Sequence, residues 1–233
     1  PITVDRRLEL DNARTFLERL GKRRWYAFTR MQTRVCHKIQ RIITVSESSK
    51  EDISHDHKVD ISKIHVVPIG IDTDFFAPQT NIERIPGRIV STASADVPLK
   101  GQKFLLEAIA KVRNDFPHVH LELVGKQREG STTAETLDEL GLDDIVRFNQ
   151  GISYEELVNL LASAEVAIVP SLYEGFSIPA IEALSCGAPL IASTGGALPE
   201  VAGPHLETCL AVPPGDSDAL ADQIKYAFQN PDL

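Results

Sequence analysis

The sequence predicts an α/β protein built on a doubly wound parallel sheet. From residue 88 onward, short runs rich in apolar residues alternate with stretches of helical periodicity. Several of these runs are apolar without a break, as expected for strands that helices cover on both faces. Six such strand–helix units in about 145 residues correspond to one doubly wound, Rossmann-like domain.

The elements of this domain follow from the apolar pattern. Ser153 and Glu156 form the sequence signature of a capping box, which marks the start of the helix at 154. The predicted strands are 88–93, 119–124, 145–149, 166–169, 189–193 and 209–212. The predicted helices lie near 101–114, 132–140, 154–163, 178–186, 197–202 and 217–229.

The segment before residue 67 has a different pattern. Apolar residues from Leu10 to Leu20 recur at helical spacing, and Gly21 is interpreted as the stop of that helix. A second helical stripe begins at Phe28, and strands are predicted at 39–45 and 64–67. Ser48 with Glu51 predicts a capping box for the helix between these strands. Residues 67–87 contain prolines and little periodicity, so they are the predicted linker between domains 1–66 and 88–233.

Charge also divides the chain. Residues 1–41 carry eleven Lys and Arg against four Asp and Glu, a net +7, whereas the rest carries a net −16. The composition, 42% hydrophobic and 24% charged, argues against disorder. Three cysteines without a Cys-x-x-Cys pair predict reduced thiols in a cytoplasmic protein.

The loop after the strand 166–169 has the features of an anion site. Gly175 permits a close backbone approach, and Ser177 and Pro179 suit the N-cap and the first turn of a helix. That helix would direct unpaired N–H groups at the edge of the sheet where ligands bind. Glu174 on the loop and Glu182 on the helix add two carboxylates, which accept hydrogen bonds from hydroxyl groups. The combination suits a ligand with both phosphates and hydroxyls.

The same residues resemble a known family, the GT-B glycosyltransferases of family 4. Residues 170–183 read Pro-Ser-Leu-Tyr-Glu-Gly-Phe-Ser-Ile-Pro-Ala-Ile-Glu-Ala, which contains that family's Glu-x7-Glu pattern at Glu174 and Glu182. Residues 67–76 resemble its interdomain hinge, and residues 98–108 resemble its Lys-Gly motif. The order and spacing agree over roughly residues 40–215.

The resemblance implies a retaining transfer of a sugar from a nucleotide-diphosphate sugar to an acceptor hydroxyl. Lys100 would neutralise the leaving diphosphate, Glu174 would bind donor-sugar hydroxyls, and Glu182 would bind the ribose. The segment 148–152 would flank the base. No metal and no further cofactor are expected, and a UDP-sugar is expected before a GDP- or ADP-sugar. The residues implied in the donor site are Lys100, Gly101, Glu174, Gly175, Phe176, Ser177, Ile178 and Glu182.

Two departures from the family pattern leave alternatives open. The family has a basic residue five or six positions before the lysine, where this chain has Ala95 and Ser94. Most of an N-terminal acceptor domain has no counterpart in residues 1–66, so this chain is expected to be an inactive fragment of a longer enzyme. The alternatives are a non-catalytic nucleotide-sugar-binding module, or another GT-B enzyme such as a phosphorylase or an epimerase.

Three features have more than one interpretation. Gly195 and Gly196 fit either a plain turn or a close approach to the donor, and Glu200 is interpreted as a helix cap or a salt-bridge residue. The basic segment 6–41 fits a solvated pair of helices or an anionic membrane surface, and nucleic acid is the least favoured partner. The acceptor would be a lipid or a polysaccharide precursor, met at the inner face of a membrane.

Overall fold

A computed structural model describes residues 15–93 and 96–231, and also residues 6, 10, 11 and 13. Within these residues the strands form two sheets, a small one of two strands and a large one of six. All strand pairs in both sheets are parallel. No helix in the described part of the chain is both long enough and apolar enough to cross a membrane.

The small sheet belongs to the N-terminal part of the chain. Its two strands pair in register, Ile42 opposite Ile64. The elements of this part are α1 (Phe16–Trp25), α2 (Thr29–Lys38), β1 (Ile42–Thr44), α3 (Glu47–His57) and β2 (Ile64–Val66).

The large sheet has the strand order β5-β4-β3-β6-β7-β8. The order reverses between β3 and β6, which makes the sheet doubly wound, as the sequence predicted. Its elements are β3 (Ile85–Thr92), α4 (Gln102–Val112), β4 (His120–Val124), α5 (Thr132–Leu140), β5 (Val146–Asn149), α6 (Tyr154–Ala162), β6 (Ala164–Val169), α7 (Ile178–Ser185), β7 (Leu190–Ser193), α8 (Leu198–Ala202), β8 (Leu210–Val212) and α9 (Ser217–Gln229).

Helices cover both faces of this sheet and bury two hydrophobic cores. Successive side chains of a strand point to opposite faces, so Ile89 packs in one core and Val90 in the other. The Ile89 core contains residues of α4, α5 and α9, including Leu106 with no exposed surface. The Val90 core contains residues of α6, α7 and α8. The carboxyl ends of the strands remain as the edge where loops meet.

Two local expectations in the N-terminal part are wrong. Helix α1 continues through Gly21 to Trp25. A glycine inside a helix costs only about 0.5–1 kcal/mol, and the salt bridge from Lys22 to Glu18 spans the position. Helix α3 is capped by Ser46 rather than Ser48, because the side chain of Ser46 accepts the N–H of Ser49.

The capping box at α6 is confirmed. The Ser153 hydroxyl accepts the N–H of Glu156 at 3.1 Å, and the Glu156 carboxylate accepts the N–H of Ser153 at 2.7 Å. These hydrogen bonds from Ser153 stabilise the charged carboxylate and lower the pKa of Glu156. The sequence signature therefore located this helix start correctly.

We expect the free energy of unfolding to fall by different amounts when a buried and an exposed leucine are replaced. Replacing Leu106 with Ala leaves a cavity at a site with no exposed surface, so we expect the free energy of unfolding to fall by about 2–5 kcal/mol. The matched control is Leu140→Ala, at the end of α5, where 38% of the side chain is exposed and the loss should stay near 1 kcal/mol. Urea denaturation followed by circular dichroism measures both, and equal losses would contradict the described core.

Candidate functional site

The candidate site lies where the loops after β3 and β6 meet, at the point where the strand order reverses. The N–H of Leu172 donates to the carbonyl of Leu99 at 2.8 Å, which joins the two loops. Gly101 allows this approach: a Cβ atom there would lie 2.0 Å from the carbonyl oxygen of Pro170, and its φ is +68°. Only glycine combines that backbone conformation with that contact. The approach brings Lys100 against Glu174.

Lys100 and Glu174 form a largely buried ion pair. The Nζ of Lys100 lies 2.8 Å from Oε1 of Glu174, and the two side chains are 19% and 11% exposed. The hydroxyl of Ser171 donates to the same Oε1 at 2.7 Å. No described residue donates to the other oxygen, Oε2, so that atom is available to a ligand hydroxyl. Ser171 was not among the predicted site residues.

Ser177 has the position of an N-cap but does not act as one. Its φ of +97° lies in the left-handed region, and its side chain makes no capping hydrogen bond to α7. Its buried Oγ has no hydrogen-bond partner among the described residues. Such a conformation costs about 1–3 kcal/mol, and residues that adopt it cluster at active sites, ligand-binding loops and switch regions. The predicted cap is therefore wrong, although Pro179 does lie in the first turn.

Helix α7 begins directly at this strained residue. Its first N–H groups have no partner within the helix, and they carry the positive end of the helix dipole. Ile178, the first residue of the helix, is 44% exposed, so the helix start is open to solvent. A phosphate group is the ligand that such a helix start favours.

Glu182 lies one turn further along α7 and is only 7% exposed. No described residue donates a hydrogen bond to its carboxylate or pairs with it. Burial raises the pKa of Glu182, because the charged form loses its hydration without gaining a partner. Burial and the nearby Glu182 together raise the pKa of Cys186, on the next turn, to about 11. The carboxylate thus lacks hydrogen-bond donors that a ligand could supply.

The glycines at 195 and 196 support the loop that carries Glu174. A Cβ atom at Gly195 would lie 2.5 Å from the carbonyl oxygen of Leu172, and one at Gly196 would lie 2.3 Å from that of Glu174. The N–H of Glu174 donates to the carbonyl of Gly195, and the N–H of Ala197 donates to that of Glu174. Both glycines therefore pack against protein backbone, which favours the turn interpretation.

Asp96 holds the loop after β4 beside the loop after β3. Its carboxylate accepts the N–H of Arg128 at 3.1 Å and the hydroxyls of Ser131 and Thr133 at 2.6 Å each. Sequence reasoning missed this role, since nothing in the local pattern marks it. Ser94 and Ala95, the positions of the departure from the family pattern, lie outside the described residues.

The Asp72-x-Asp74 segment is a turn. Asp72 Oδ1 accepts the N–H groups of Asp74 and Phe75 at 3.0 and 3.1 Å, so this oxygen is used within the loop. Among the described residues, no group of three or more His, Cys, Asp or Glu side chains is arranged to hold a metal ion.

Helix α3 of the N-terminal part contacts the candidate site directly, which sequence reasoning also missed. The hydroxyls of Ser46 and Ser49 both donate to the carbonyl oxygen of Gly175. Tyr173 donates to the carboxylate of Asp52, and burial together with that carboxylate raises the pKa of the tyrosine, which keeps the hydroxyl protonated. These contacts join parts of the chain more than 120 residues apart.

Glu200 completes this contact. Its carboxylate accepts the N–H groups of Glu47 and Ser48 at 2.9 and 3.0 Å, at the first turn of α3. A carboxylate at a helix N-terminus is favourable because it satisfies free N–H groups and complements the dipole. The interpretation of Glu200 as a helix cap is thereby confirmed, for a helix in the other part of the chain.

Two family models match this chain. The model described as "Glycosyl transferases group 1" matches residues 78–233, and "Glycosyltransferase Family 4" matches residues 7–75. One curated relative, the MMP alpha-(1->4)-mannosyltransferase of Mycolicibacterium hassiacum, is 47% identical over 231 residues, which are 99% of this chain and 55% of the relative. The chain spans about half the length of the curated relatives it matches.

Solved structures share the fold. Sucrose-phosphate synthase from Thermosynechococcus elongatus matches with a TM-score of 0.73 and 29% identity, over 86% of this chain and 52% of that one. Anabaena Alr3699/HepE in complex with UDP-glucose matches with a TM-score of 0.76 and 20% identity, over 90% of this chain and 60% of that one. Because the first family model alone matches more than half of the residues, the chain belongs to the GT-B glycosyltransferases of family 4, the glycosyl transferases group 1.

Proposed function

We propose that this chain carries the donor site of a retaining glycosyltransferase, which moves a sugar from a nucleotide-diphosphate sugar to an acceptor hydroxyl. The observation that carries the proposal is the set of unsatisfied groups that follow Glu174 along the chain. These groups are the free start of α7, the Ser177 hydroxyl without a partner, and the buried Glu182 carboxylate without a donor. We further propose that residues 88–233 form the donor domain, that 67–87 is the hinge and that 1–66 is part of the acceptor domain.

Each group matches one part of a nucleotide-diphosphate sugar. The diphosphate would receive hydrogen bonds from Lys100 and from the backbone at the start of α7, with Gly101, Gly175 and Phe176 allowing the close approach. The ribose hydroxyls would donate to Glu182 and so give this carboxylate its missing partners. The donor-sugar hydroxyls would donate to Oε2 of Glu174.

The ion pair also indicates how Glu174 acts. Its Oε1 is held by Lys100 and Ser171, and such hydrogen bonds stabilise the carboxylate and weaken it as a nucleophile. We therefore assign Glu174 to sugar binding and Lys100 to the charge that develops on the leaving diphosphate. In this mechanism the acceptor oxygen bonds to the anomeric carbon on the face of the leaving group while the bond from that carbon to the diphosphate oxygen breaks. The leaving phosphate takes the proton of the acceptor hydroxyl, and the configuration of the sugar is retained.

The names of two similar proteins bear on which sugar the donor carries. The Mycolicibacterium hassiacum relative is named a mannosyltransferase, and the Anabaena structure contains UDP-glucose. We propose mannose as the transferred sugar, because the mannosyltransferase is the more similar of the two in sequence. UDP is the first nucleotide expected from the sequence, GDP and ADP are the alternatives, and titration with all three distinguishes them. The acceptor would be a carbohydrate or a lipid-linked precursor.

A first test removes the charge at residue 100. Calorimetric titration of the chain with GDP, UDP and ADP should show binding of at least one, and Lys100→Ala should weaken it by about 10- to 100-fold, since a hydrogen bond to a charged group contributes about 1.5–3 kcal/mol. Binding of the corresponding nucleoside, which has no phosphate, should change little.

The matched control for that test is Lys103→Ala, in the first turn of α4, whose lysine lies 3.8 Å from Glu107 and is 48% exposed. It should leave diphosphate binding unchanged. If none of the three diphosphates binds, or if both variants weaken binding equally, the donor site is not where we place it.

A second test uses the raised pKa of Glu182. The folded protein binds this proton more tightly than the unfolded chain does, so the contribution of Glu182 to stability is complete below its ordinary pKa of about 4.5 and is lost as the pH rises through the folded value. Glu182→Gln should therefore raise the melting temperature of the ligand-free chain at pH 7 and have little effect below about pH 4.5. The same variant should weaken diphosphate binding about tenfold, because a charged acceptor is lost.

Glu139→Gln, at an exposed position of α5, is the control for that comparison and should change neither property. Melting temperatures at several pH values, each with and without GDP or UDP, provide both readouts. A lower melting temperature for Glu182→Gln at pH 7 would show that the carboxylate has a stabilising partner, and our assignment would be wrong.

We also propose that the basic N-terminal part meets an anionic membrane surface. Helix α1 exposes Phe16 and Leu17 at 78% each and Trp25 at 73%, beside the cations Lys22, Arg23 and Arg24. Exposed apolar and basic side chains on one helix suit the interface of an anionic bilayer. A cytoplasmic protein, peripheral at the inner face of the membrane, remains the prediction.

Vesicle sedimentation tests this surface. The chain should bind vesicles in which about one lipid in three is anionic more strongly than it binds neutral vesicles. Replacing Lys22, Arg23 and Arg24 with Gln should remove the difference. Replacing the exposed Lys126 and Arg128 with Gln, which removes charge elsewhere, is the control and should have no effect. Equal binding to neutral and anionic vesicles would contradict the proposal.

A further inference from the structure

The carbonyl of Gly175 is held by two hydroxyl groups from the other part of the chain. Ser46 Oγ donates to it at 2.6 Å and Ser49 Oγ at 3.0 Å, and the two serines are 2% and 3% exposed. A carbonyl oxygen has two lone pairs, so two donors use its full capacity. This carbonyl therefore has a defined direction, toward the first turn of α3.

The direction of this carbonyl determines the direction of the next N–H group. The peptide between Gly175 and Phe176 is planar and trans, since no described peptide bond is cis, so its C=O and N–H point to opposite sides. With the carbonyl turned toward α3, the N–H of Phe176 is turned away from it. No described residue accepts a hydrogen bond from this N–H.

The neighbouring groups show what lies around the Phe176 N–H. Glu174, two residues before it, is paired with Lys100, and Ser177, directly after it, has the strained backbone and the unpartnered hydroxyl. The first N–H groups of α7 follow. The Phe176 N–H is thus one of a series of free donors between the ion pair and the helix start, which is the region where we place the diphosphate.

The serines themselves are held in place. Glu200 accepts the N–H groups of Glu47 and Ser48, and Ser46 accepts the N–H of Ser49 at 3.0 Å. Tyr173 on the loop donates to Asp52 on the helix. The first turns of α3 and the loop 173–175 are therefore joined at several points, and the two hydroxyls have little freedom to turn elsewhere.

We propose that Ser46 and Ser49 are positioning residues, which fix the Gly175–Phe176 peptide so that the Phe176 N–H donates to the bound donor. This inference rests on the proposed function, because it needs a diphosphate or sugar oxygen as the acceptor. Beyond the proposed function, the inference states that helix α3, from the N-terminal part of the chain, completes the donor site. Neither serine touches the ligand.

The test compares two serines of the same helix. Ser49→Ala removes one of the two hydrogen bonds to Gly175 and leaves the cap at Ser46 in place. Ser54→Ala is the matched control, because Ser54 Oγ also donates to a backbone carbonyl, that of Val59 at 2.8 Å, but away from the loop. The two variants should have similar melting temperatures.

The binding readout separates positioning from stability. Calorimetric titrations with GDP against guanosine, and with UDP against uridine, report the phosphate contribution apart from the nucleoside. Ser49→Ala should weaken diphosphate binding about threefold to tenfold, as expected when one hydrogen bond to a charged group is misaligned, and leave nucleoside binding unchanged. The double variant with Ser46→Ala should weaken it further, and Ser49→Thr, which keeps a hydroxyl, should restore it.

The outcomes distinguish the inference from the proposed function. If the unaltered chain binds none of GDP, UDP and ADP, the proposed function fails and this inference fails with it. If the chain binds a diphosphate and Ser49→Ala binds it as tightly as Ser54→Ala does, the positioning role is wrong while the donor site stands. The single variant decides the matter even if the double variant does not fold.

Discussion

The close approach of two loops at Gly101 is the contact on which the candidate site depends. A Cβ atom at this position would lie 2.0 Å from the Pro170 carbonyl oxygen, so any other residue would push the loop after β3 away from the loop after β6. With glycine there, the Leu172 N–H reaches the Leu99 carbonyl, and Lys100 reaches Glu174 at 2.8 Å. The parallel sheet supplies the meeting point, because neighbouring parallel strands end at the same edge.

The candidate site keeps several groups in unfavourable states. Glu182 is buried without a partner, Ser177 holds a left-handed backbone, and its hydroxyl is buried without a hydrogen bond. Each of these features lowers the stability of the free protein by an amount on the order of 1–3 kcal/mol or less. All three features lie within residues 177–182, at the start of α7.

The two parts of the chain differ in charge, yet they meet at the same site. The C-terminal part carries the large sheet, Lys100 and both glutamates of the motif, and the N-terminal part, whose first 41 residues carry the net +7, contributes helix α3. Hydrogen bonds join them: backbone N–H and C=O groups pair with the side chains of Glu200, Ser46 and Ser49, and Tyr173 donates to Asp52. Hydrogen bonds of this kind depend strongly on geometry, so the orientation of α3 and the shape of the loop 173–175 are coupled.

The sequence by itself determined the alternation of strands and helices, the doubly wound sheet, the family and the loop that carries Glu174 and Glu182. These properties come from local periodicity and contiguous motifs, as at Ser153 and Glu156, whose capping box lies within four residues. Local signals failed at Ser177, which has the residue type of a cap but makes no capping hydrogen bond, and at Gly21, which did not end its helix.

Only the tertiary structure decided which groups are paired and which are left free. The partners of Gly175 lie 126 and 129 residues away, and Lys100 and Glu174 are 74 residues apart. The periodicity of the sequence does not show that these residues pair, because the pairing follows from the strand order and from the direction of each peptide group. The burial of Glu182 without a donor, the free Phe176 N–H and the capping of α3 by Glu200 therefore became visible only when the sheet and its loops were assembled.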